Sequence, residues 1–371
     1  LSATGSLADE AGAAALTDLI DAALVWGRPS ALRAVHAVRD LVAAAPVPAW
    51  PRPALEATAV HAVAEVDAQA ALHARAFLAQ VRDLPADWYL NPPQILRSGG
   101  LSLRDFAAAT RGLHSDWRRT ALVIEVAHAA RLVADDHNES PSWVPTDHYD
   151  TWLACPPAQQ WIELVNAWLA LPRLPSLADE KTQVLSADRD RRAATVIRRH
   201  VLDLLAELPP GAALATDAVV LLLDDRQPRR SGELRRLTVE ATLLEATELG
   251  VVGAGALSTA SRMTLTSVSL PAAERRAKAG EIAAALDAAL PSDVDHVLIQ
   301  ADLTVVAPGP LVASAARSLR MVADVESRGH ATVFRISEAS IRRALDAGWD
   351  AATIHDVLAE LSRTPVPQPL T

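Results

Sequence analysis

Three proline-rich stretches divide the 371-residue chain, at residues 46–53, 171–176 and 267–271. Proline lacks the backbone N–H and fixes φ, so such stretches end helices and form stiff connectors. A chain of this length is also long enough for two to four domains, at roughly 100–200 residues each. The prolines therefore predict several folded segments that are joined by short, stiff connections.

The composition favours helices. Half of the residues are apolar and 22% are charged, which is typical of a globular protein. Ala, Leu and Val dominate the apolar residues, and only 4% of the chain is aromatic, which favours closely packed helices over a β-sandwich. The net charge of −10 disfavours a protein that coats nucleic acid without sequence preference, but it leaves room for a small local basic face.

Cys155 is the only cysteine, which excludes a disulfide framework and a thiolate zinc site, and we interpret it as a buried apolar residue. No apolar run reaches the roughly 18–20 residues of a membrane span, and no signal peptide is visible. We therefore expect no membrane contact and a cytoplasmic location, at the nucleoid if the protein binds DNA. Because the chain begins at Leu1 and ends in a proline-rich stretch, we also expect a fragment of a longer protein.

Two segments of the chain share one order of predicted elements. Each has short helices, then a long capped helix, a strand, a tight or polar turn and a second strand. Ser115 is the predicted N-cap of the long helix in the first segment, and Ser231 is its counterpart in the second. The two copies lie about 120 residues apart, so the similarity indicates an internal repeat.

Glu125 and Glu245 occupy equivalent places in the two predicted long helices. Each is followed five residues later by a small residue, Ala130 or Gly250, where the helix meets the strand. Helices followed by a β-hairpin in this order are the pattern of a winged helix, a helix-turn-helix variant with a β-hairpin wing. The sequence therefore predicts two tandem winged-helix units.

The predicted fold class is mainly α with an α+β C-terminal domain. We divide the chain into an N-terminal helical region (1–90), two winged-helix-like domains (91–175 and 176–270) and a small α+β domain (271–371). In the last domain, residues 296–306 and 332–336 have the alternating apolar pattern of strands. Ser337 is the predicted cap of a helix that Gly348 ends.

Several short motifs occur in the C-terminal segment: Gln300-Ala-Asp302, Thr304-Val305-Val306, Glu326-Ser-Arg328-Gly329, Phe334-Arg-Ile-Ser337, Ala344-Leu-Asp-Ala-Gly348-Trp349 and Leu361-Ser362-Arg-Thr364-Pro365. In these motifs the segment resembles the N-terminal domain of XPB-type helicases. Over residues 90–371 the chain resembles the actinobacterial helicase-associated proteins that carry this domain. The resemblance implies DNA engagement and contacts with partners, in proteins that lack the motor lobes.

The chain departs from a helicase in the motifs that hydrolyse ATP. It contains no G-x-x-x-x-G-K-[ST] loop, no Asp-Glu-x-His box, and no lysine in the glycine-containing turn at 253–256. We therefore expect no enzymatic activity and no cofactor. The acidic and histidine residues at 135–139 and 147–150 are interpreted as polar turns rather than as a metal site, so we expect no metal.

Arginines cluster near the predicted long helices. Residues 186–236 contain ten arginines and eight acidic residues, in a chain that is acidic overall. Arginines at a helix N-terminus suit phosphate contacts, and the alternative is a solvated face with i,i+4 partners such as Glu233 and Glu240. The candidate DNA-contacting residues are Arg118, Arg119, Arg198, Arg199, Arg229, Arg230, Arg235 and Arg236.

These features predict a non-enzymatic DNA-binding or helicase-associated accessory protein in DNA repair or transcription. Its expected partners are duplex or forked DNA, and an XPB-type helicase or RNA polymerase. The alternative is a protein–protein adaptor whose winged helices do not touch DNA. A metal-dependent nuclease is the third hypothesis.

Overall fold

The computed structural model describes residues 10–27, 32–44, 52–228, 232–267, 270–289, 294–309, 311–328 and 331–368. About 59% of the chain is helical, and the C-terminal part carries a small antiparallel sheet. The predicted fold class, mainly α with an α+β C-terminal domain, is confirmed. No helix in the described ranges has the length and apolarity that crossing a bilayer requires.

The helices are α1 (Glu10–Asp21), α2 (His36–Ala44), α3 (Val63–Leu90), α4 (Leu103–Gly112), α5 (Trp117–Ala129), α6 (Asp147–Leu153), α7 (Pro157–Ala170), α8 (Arg192–Glu207), α9 (Thr216–Arg226), α10 (Glu233–Glu248), α11 (Thr259–Ser267), α12 (Ala272–Ala289), α13 (Ala313–Val322), α14 (Glu338–Asp346) and α15 (Ala351–Leu361). The strands are β1 (Val25–Trp26), β2 (Arg33–Ala34), β3 (Ala59–Val60), β4 (Val133–Asp135), β5 (Trp143–Pro145), β6 (Ala212–Ala213), β7 (Val252–Gly253), β8 (Ala256–Leu257), β9 (Leu298–Ile299), β10 (Thr304–Ala307), β11 (Asp324–Arg328) and β12 (Thr332–Arg335).

The long helix α3 is the centre of the part that we call the helical body, residues 52–289. It packs against α5, α7, α10 and α12 and against the β7–β8 hairpin. Its buried side chains, among them Phe77, Val81 and Trp88, belong to one hydrophobic core that runs from Ala71 to Leu286. The two predicted winged-helix segments therefore share one core.

Helix α12 belongs to this body, although the sequence-based division placed it in the C-terminal domain. Ile282 and Leu286 are buried in the core of the body, where α12 packs on α7 and α11. The apolar side of α12 is therefore covered by the helical body. The boundary at residue 271 lies too early, and the sheet domain begins after α12.

The two repeated segments have the predicted order of a long helix and a β-hairpin. Helix α5 leads into the antiparallel pair β4–β5, and α10 leads into the pair β7–β8. Each long helix ends with one left-handed residue, at φ 60° for Arg131 and φ 74° for Gly250. Arg131 is therefore the counterpart of Gly250, so the predicted pairings of Ala130 with Gly250 and of Glu125 with Glu245 were each off by one residue.

Two glycines, Gly250 just before the second hairpin and Gly253 within it, allow this hairpin to lie directly on α3. A Cβ at Gly253 would lie 2.1 Å from the carbonyl oxygen of Val66, and one at Gly250 would lie 2.2 Å from that of Ala70. No side chain fits at such distances, so glycine is required for this contact. The hairpin thereby fixes the end of α10 against the central helix.

The predicted helix caps have mixed outcomes. Asp116, rather than Ser115, is the N-cap of α5, because its Oδ1 accepts a hydrogen bond from the backbone N–H of Arg119 at 2.8 Å. Ser231 lies outside the described residues. Ser337 forms a capping box with Ser340 at the start of α14, as predicted, and Gly348 follows that helix at φ 90°.

The C-terminal domain, residues 294–368, contains a four-stranded antiparallel sheet in the order β11-β12-β10-β9. Helices α13, α14 and α15 pack with it around buried Val305, Leu319 and Leu358. The predicted strand over 296–306 is interrupted, because Asp302 Oδ1 accepts a hydrogen bond from Thr304 N at 3.0 Å and Leu303 has φ 68°. Residues 298–307 therefore form a hairpin, β9–β10, instead of one strand.

Candidate nucleic-acid interface

Arg198, one of the predicted DNA-contacting residues, lies inside the protein. Its guanidinium donates hydrogen bonds to the carbonyl oxygens of Trp168 and Leu171, at 2.8 and 2.7 Å, and to that of Arg173 at 3.0 Å. It also pairs with Glu245 at 3.3 Å, and both side chains are fully buried. Arg198 therefore satisfies the carbonyl groups at the C-terminal end of α7.

Arg235 makes the same kind of contact at the end of α9. It is 3% exposed, and it donates to the carbonyl oxygens of Leu223 and Gln227 at 2.6 and 3.0 Å. The Asp224 carboxylate lies 3.0 Å away and balances its charge. The guanidinium therefore lies against α9 and points away from solvent.

Arg119 lies at the end of α10. It donates to the carbonyl oxygen of Glu248 at 2.9 Å, pairs with the carboxylate of the same residue, and donates to Gln80 Oε1 at 2.7 Å. The guanidinium also stacks over the Phe77 ring, 5.0 Å from its centroid. Arg119 is therefore committed to contacts that join α5, α3 and α10.

These three arginines share one structural role. The last carbonyl groups of a helix lack intrahelical partners and carry partial negative charge, so a buried guanidinium stabilises them. Arg262, which donates to the carbonyls of Leu205, Ala206 and Pro209 at the end of α8, is a fourth case. The prediction of DNA contact is corrected for Arg119, Arg198 and Arg235, because their guanidinium groups are buried and bonded.

The remaining predicted arginines differ in their surroundings. Arg199 is partly exposed and pairs with Asp203 at 2.8 Å, and Arg236 pairs with Asp217 at 2.6 Å. Arg236 also lies 3.7 Å from Glu240, so both arginines have the i,i+4 partners that the alternative predicted. Arg118 is exposed, and its side chain makes no hydrogen bond or ion pair with any described residue. Arg229 and Arg230 lie outside the described residues.

The long helix of the first repeat is unsuited to enter a DNA groove. Residues 120–127 of α5 are buried on all sides, so no continuous face is exposed. The long helix of the second repeat has an exposed face, but Leu234, Leu237 and Leu244 occupy much of it. Neither helix therefore presents a row of cations.

A row of arginines lies instead on α4 and at the start of α5. Arg104 and Arg111 are both exposed and lie seven residues apart on α4, which places them on one face about 10.5 Å apart along the axis. Arg118 follows after the short turn to α5, and Arg97 precedes α4. The guanidinium groups of Arg97, Arg111 and Arg118 form no hydrogen bond or ion pair within the described ranges. We call Arg97, Arg104, Arg111 and Arg118, which follow one another at seven-residue intervals along the chain, the arginine row.

The acidic residues beside this row are engaged in helix caps. Asp105 accepts a hydrogen bond from Ser102 Oγ at 2.6 Å and lies 3.3 Å from Arg104, and Asp116 caps α5. Residues 97–119 contain five arginines and two aspartates, which makes this segment basic in a chain of net charge −10. Sequence reasoning missed three of its four members, although their regular spacing of seven residues was visible.

A cleft of about 470 Å³ lies next to the arginine row, between the helical body and the C-terminal domain. Helix α3 forms one wall, and α13 with strands β11 and β12 forms the other. His114 and Ser115, in the turn between α4 and α5, line its edge. Arg320 of α13 reaches across to Asp83 of α3, with 3.4 Å between Nη2 and Oδ1.

The acidic and histidine residues that were interpreted as polar turns lie in a hairpin loop and a short helix. Asp136 Oδ1 accepts backbone hydrogen bonds from Asn138 and Ser142, which holds the loop between β4 and β5. Asp147 and Asp150 lie in α6 rather than in a turn. Within the part of the chain that the structure describes, no group of three or more His, Cys, Asp or Glu side chains could hold a metal ion. Cys155 is half-buried, and not fully buried as predicted.

Comparison with known proteins supports a helicase-associated role. Residues 297–371 match a family described as the helicase conserved C-terminal domain. The match begins just before β9 and includes the sheet, α13, α14 and α15, so it coincides with the C-terminal domain and not with the helical body. No curated protein matches the chain.

Proposed function

We propose that this protein is a non-enzymatic, helicase-associated accessory protein that contacts duplex DNA in repair or transcription. The arginine row carries the proposal, because Arg111 and Arg118 are exposed cations without carboxylate partners among the described residues. A free guanidinium on a helix surface suits a phosphate contact, and several in a row fix the orientation of a duplex. The row lies in the first helix–hairpin unit, for which the sequence predicted a winged helix.

The proposed contact differs in geometry from that of a winged helix with a long recognition helix in the major groove. Helix α4 and the N-terminus of α5 form the contact, because the rest of α5 is buried in the core. Phosphate contacts carry little sequence information, so we expect binding with weak sequence preference. The net charge of −10 disfavours DNA contact spread over the whole surface.

The C-terminal domain is the proposed contact for a motor protein. It matches a helicase domain, whereas the chain has no phosphate-binding loop, so a separate XPB-type helicase or RNA polymerase is the partner we propose. Incubation with Mg²⁺ or Mn²⁺, ATP and duplex DNA should release no phosphate and cleave no DNA. Turnover of either substrate would contradict the non-enzymatic part of the proposal.

Fluorescence anisotropy with a labelled duplex tests DNA contact. We expect binding that weakens steeply between about 50 and 200 mM salt, because each phosphate contact releases counterions. Absence of binding at about 50 mM salt and tens of micromolar protein would contradict the proposal. The protein–protein adaptor function would then be the better supported of the two candidates.

The adaptor function is the second candidate, and the exposed leucines of α10 favour it. Leu234 is 56% exposed, and Leu237 and Leu244 extend the same side of the helix. Exposed leucines in one stripe are typical of a surface that binds another protein. Replacing Leu237 and Leu244 with Glu should leave DNA affinity unchanged if DNA contact is made by the arginine row.

A further inference from the structure

The cleft between the helical body and the C-terminal domain concentrates positive charge. Arg75 and Arg82 of α3 line it from one side and Arg320 of α13 lines it from the other. Arg119 contributes a further guanidinium, which Glu248 balances. The cleft is therefore basic in an acidic protein.

The charges of these arginines act on one another. Burial lowers the pKa of Arg82, and the positive charge of Arg75 and then that of Arg320 lower it further, while Asp83 opposes the shift. Part of this charge is balanced within the protein, because Asp83 pairs with Arg320 and Glu248 pairs with Arg119. Four arginines against these two carboxylates leave a net positive charge, which attracts phosphate.

The rest of the cleft wall is apolar. Leu72 of α3 is 44% exposed, and Leu311, Val325 and Phe334 of the C-terminal domain face the same space. A volume of about 470 Å³ accommodates a nucleotide-sized group. Cationic side chains beside apolar surfaces are the combination that binds phosphates and bases of a single strand.

The cleft borders the turn between α4 and α5. His114 and Ser115 of this turn line the cleft and lie between Arg111 and Arg118 in the chain. A strand that leaves a bound duplex at this turn therefore starts at the edge of the cleft, which favours such a strand over a separate small anion.

We propose that this cleft binds a single strand of nucleic acid that continues from a duplex held on the arginine row. The protein then prefers forked or overhanging DNA to a blunt duplex. This inference rests on the proposed DNA contact and adds a second site to it. Arg75 and Arg320 are the residues that contact the strand phosphates.

Anisotropy with three labelled probes tests the proposal: a blunt duplex, a fork with the same duplex, and an oligo(dT) strand. The wild-type chain should bind the fork more tightly than the duplex. The double variant Arg75→Ala/Arg320→Ala should weaken fork and oligo(dT) binding by at least about tenfold and leave duplex binding unchanged. Its salt slope on oligo(dT) should fall by up to about 1.4, at about 0.7 for each phosphate contact.

Two control variants separate strand binding from domain packing. Asp83→Asn breaks the same ion pair as Arg320→Ala but leaves the arginine, so it should keep or strengthen fork binding. Arg317→Ala removes an exposed charge from the same helix at a residue that does not line the cleft, and it should have no effect. Equal losses in Asp83→Asn and Arg320→Ala would overturn the proposal, because the interdomain ion pair would then explain both.

The remaining outcomes are also decisive. Equal affinity for fork and duplex would overturn the strand site while leaving the duplex contact intact. The mononucleotide dTMP should not displace labelled oligo(dT) when the two are present at equal phosphate concentration. Displacement would show that the cleft binds a free nucleotide, which also overturns the strand proposal.

Discussion

Glu125 and Glu245, from the two repeated long helices, both bind the segment that connects the repeats. Glu125 accepts hydrogen bonds from the backbone N–H of Leu185 at 2.9 Å and from Arg173 Nε at 2.6 Å. Glu245 accepts from the backbone N–H and the hydroxyl of Ser176, at 3.1 and 2.9 Å. Both carboxylates are buried, so the connection is held from two sides.

Replacing Glu245 with Gln should destabilise the fold strongly. The change keeps the size of the side chain but leaves the buried Arg198 without its charge partner, which costs about 3–5 kcal/mol. Urea unfolding measures the loss. Glu240→Gln, on the exposed side of the same helix, should stay within about 0.5 kcal/mol of wild type, and equal effects of the two changes would contradict this role.

Arg235 and Arg236 are neighbours with opposite environments, so they form a matched pair. Arg235→Ala leaves the carbonyl groups of Leu223 and Gln227 without their buried donor and should cost about 2–4 kcal/mol. Arg236→Ala removes an exposed surface pair and should cost less than about 1 kcal/mol. Thermal unfolding measures both losses of stability. A larger loss for Arg236→Ala than for Arg235→Ala would contradict the assignment of Arg235 as a helix cap.

Gly253→Ala should disrupt the contact between the second hairpin and α3. The new Cβ would collide with the Val66 carbonyl oxygen, so the hairpin must move, and we expect a loss of at least about 2 kcal/mol. Gly280→Ala is the control, because no neighbouring atom of the described residues lies within 4 Å of its Cβ position, and in a helix it should stabilise by up to about 1 kcal/mol. A neutral Gly253→Ala would mean that the hairpin does not pack this closely.

Acid should destabilise the first repeat through His128. Burial, assisted by the charge of Arg173, lowers the pKa of His128 from 6.5 to about 4. The unfolded chain takes up this proton near pH 6.5 and the folded chain only near pH 4, so stability is lost as the pH falls between them. From pH 7.5 to pH 5 the loss is about 2 kcal/mol. His128→Phe, which keeps a ring against Trp143, should lose about 2 kcal/mol less over the same range.

The sequence predicted the order of elements well because that order depends on local signals. Both hairpins, the capping box at Ser337 and the repeat that contains Glu125 and Glu245 follow from spacing, caps and turn residues. The sequence did not predict the interruption of the strand at Asp302. The alternating apolar pattern of a strand and the turn-forming hydrogen bond from Thr304 N to Asp302 occur in the same residues, and the pattern alone was used.

The sequence did not show which arginines are exposed, because the number of charged residues in a segment does not indicate which of their side chains are buried. Arg198 occurs between apolar Ile197 and Val201 on one side of α8, which indicated an inward position. Arg235 gave no such signal, since its partners lie at the end of another helix. Only tertiary packing shows which helix ends need a cation.

Duplex binding by a variant of the arginine row tests DNA contact most directly. The triple variant Arg104→Ala/Arg111→Ala/Arg118→Ala should flatten the slope of log K against log salt by up to about 2.7, at about 0.9 for each phosphate contact. The control triple variant Arg199→Ala/Arg236→Ala/Arg342→Ala removes the same charge from residues that pair with local carboxylates, and its slope should stay close to that of the wild-type protein. An unchanged slope in a folded row variant, or equal losses in the two triple variants, would contradict DNA contact through this row.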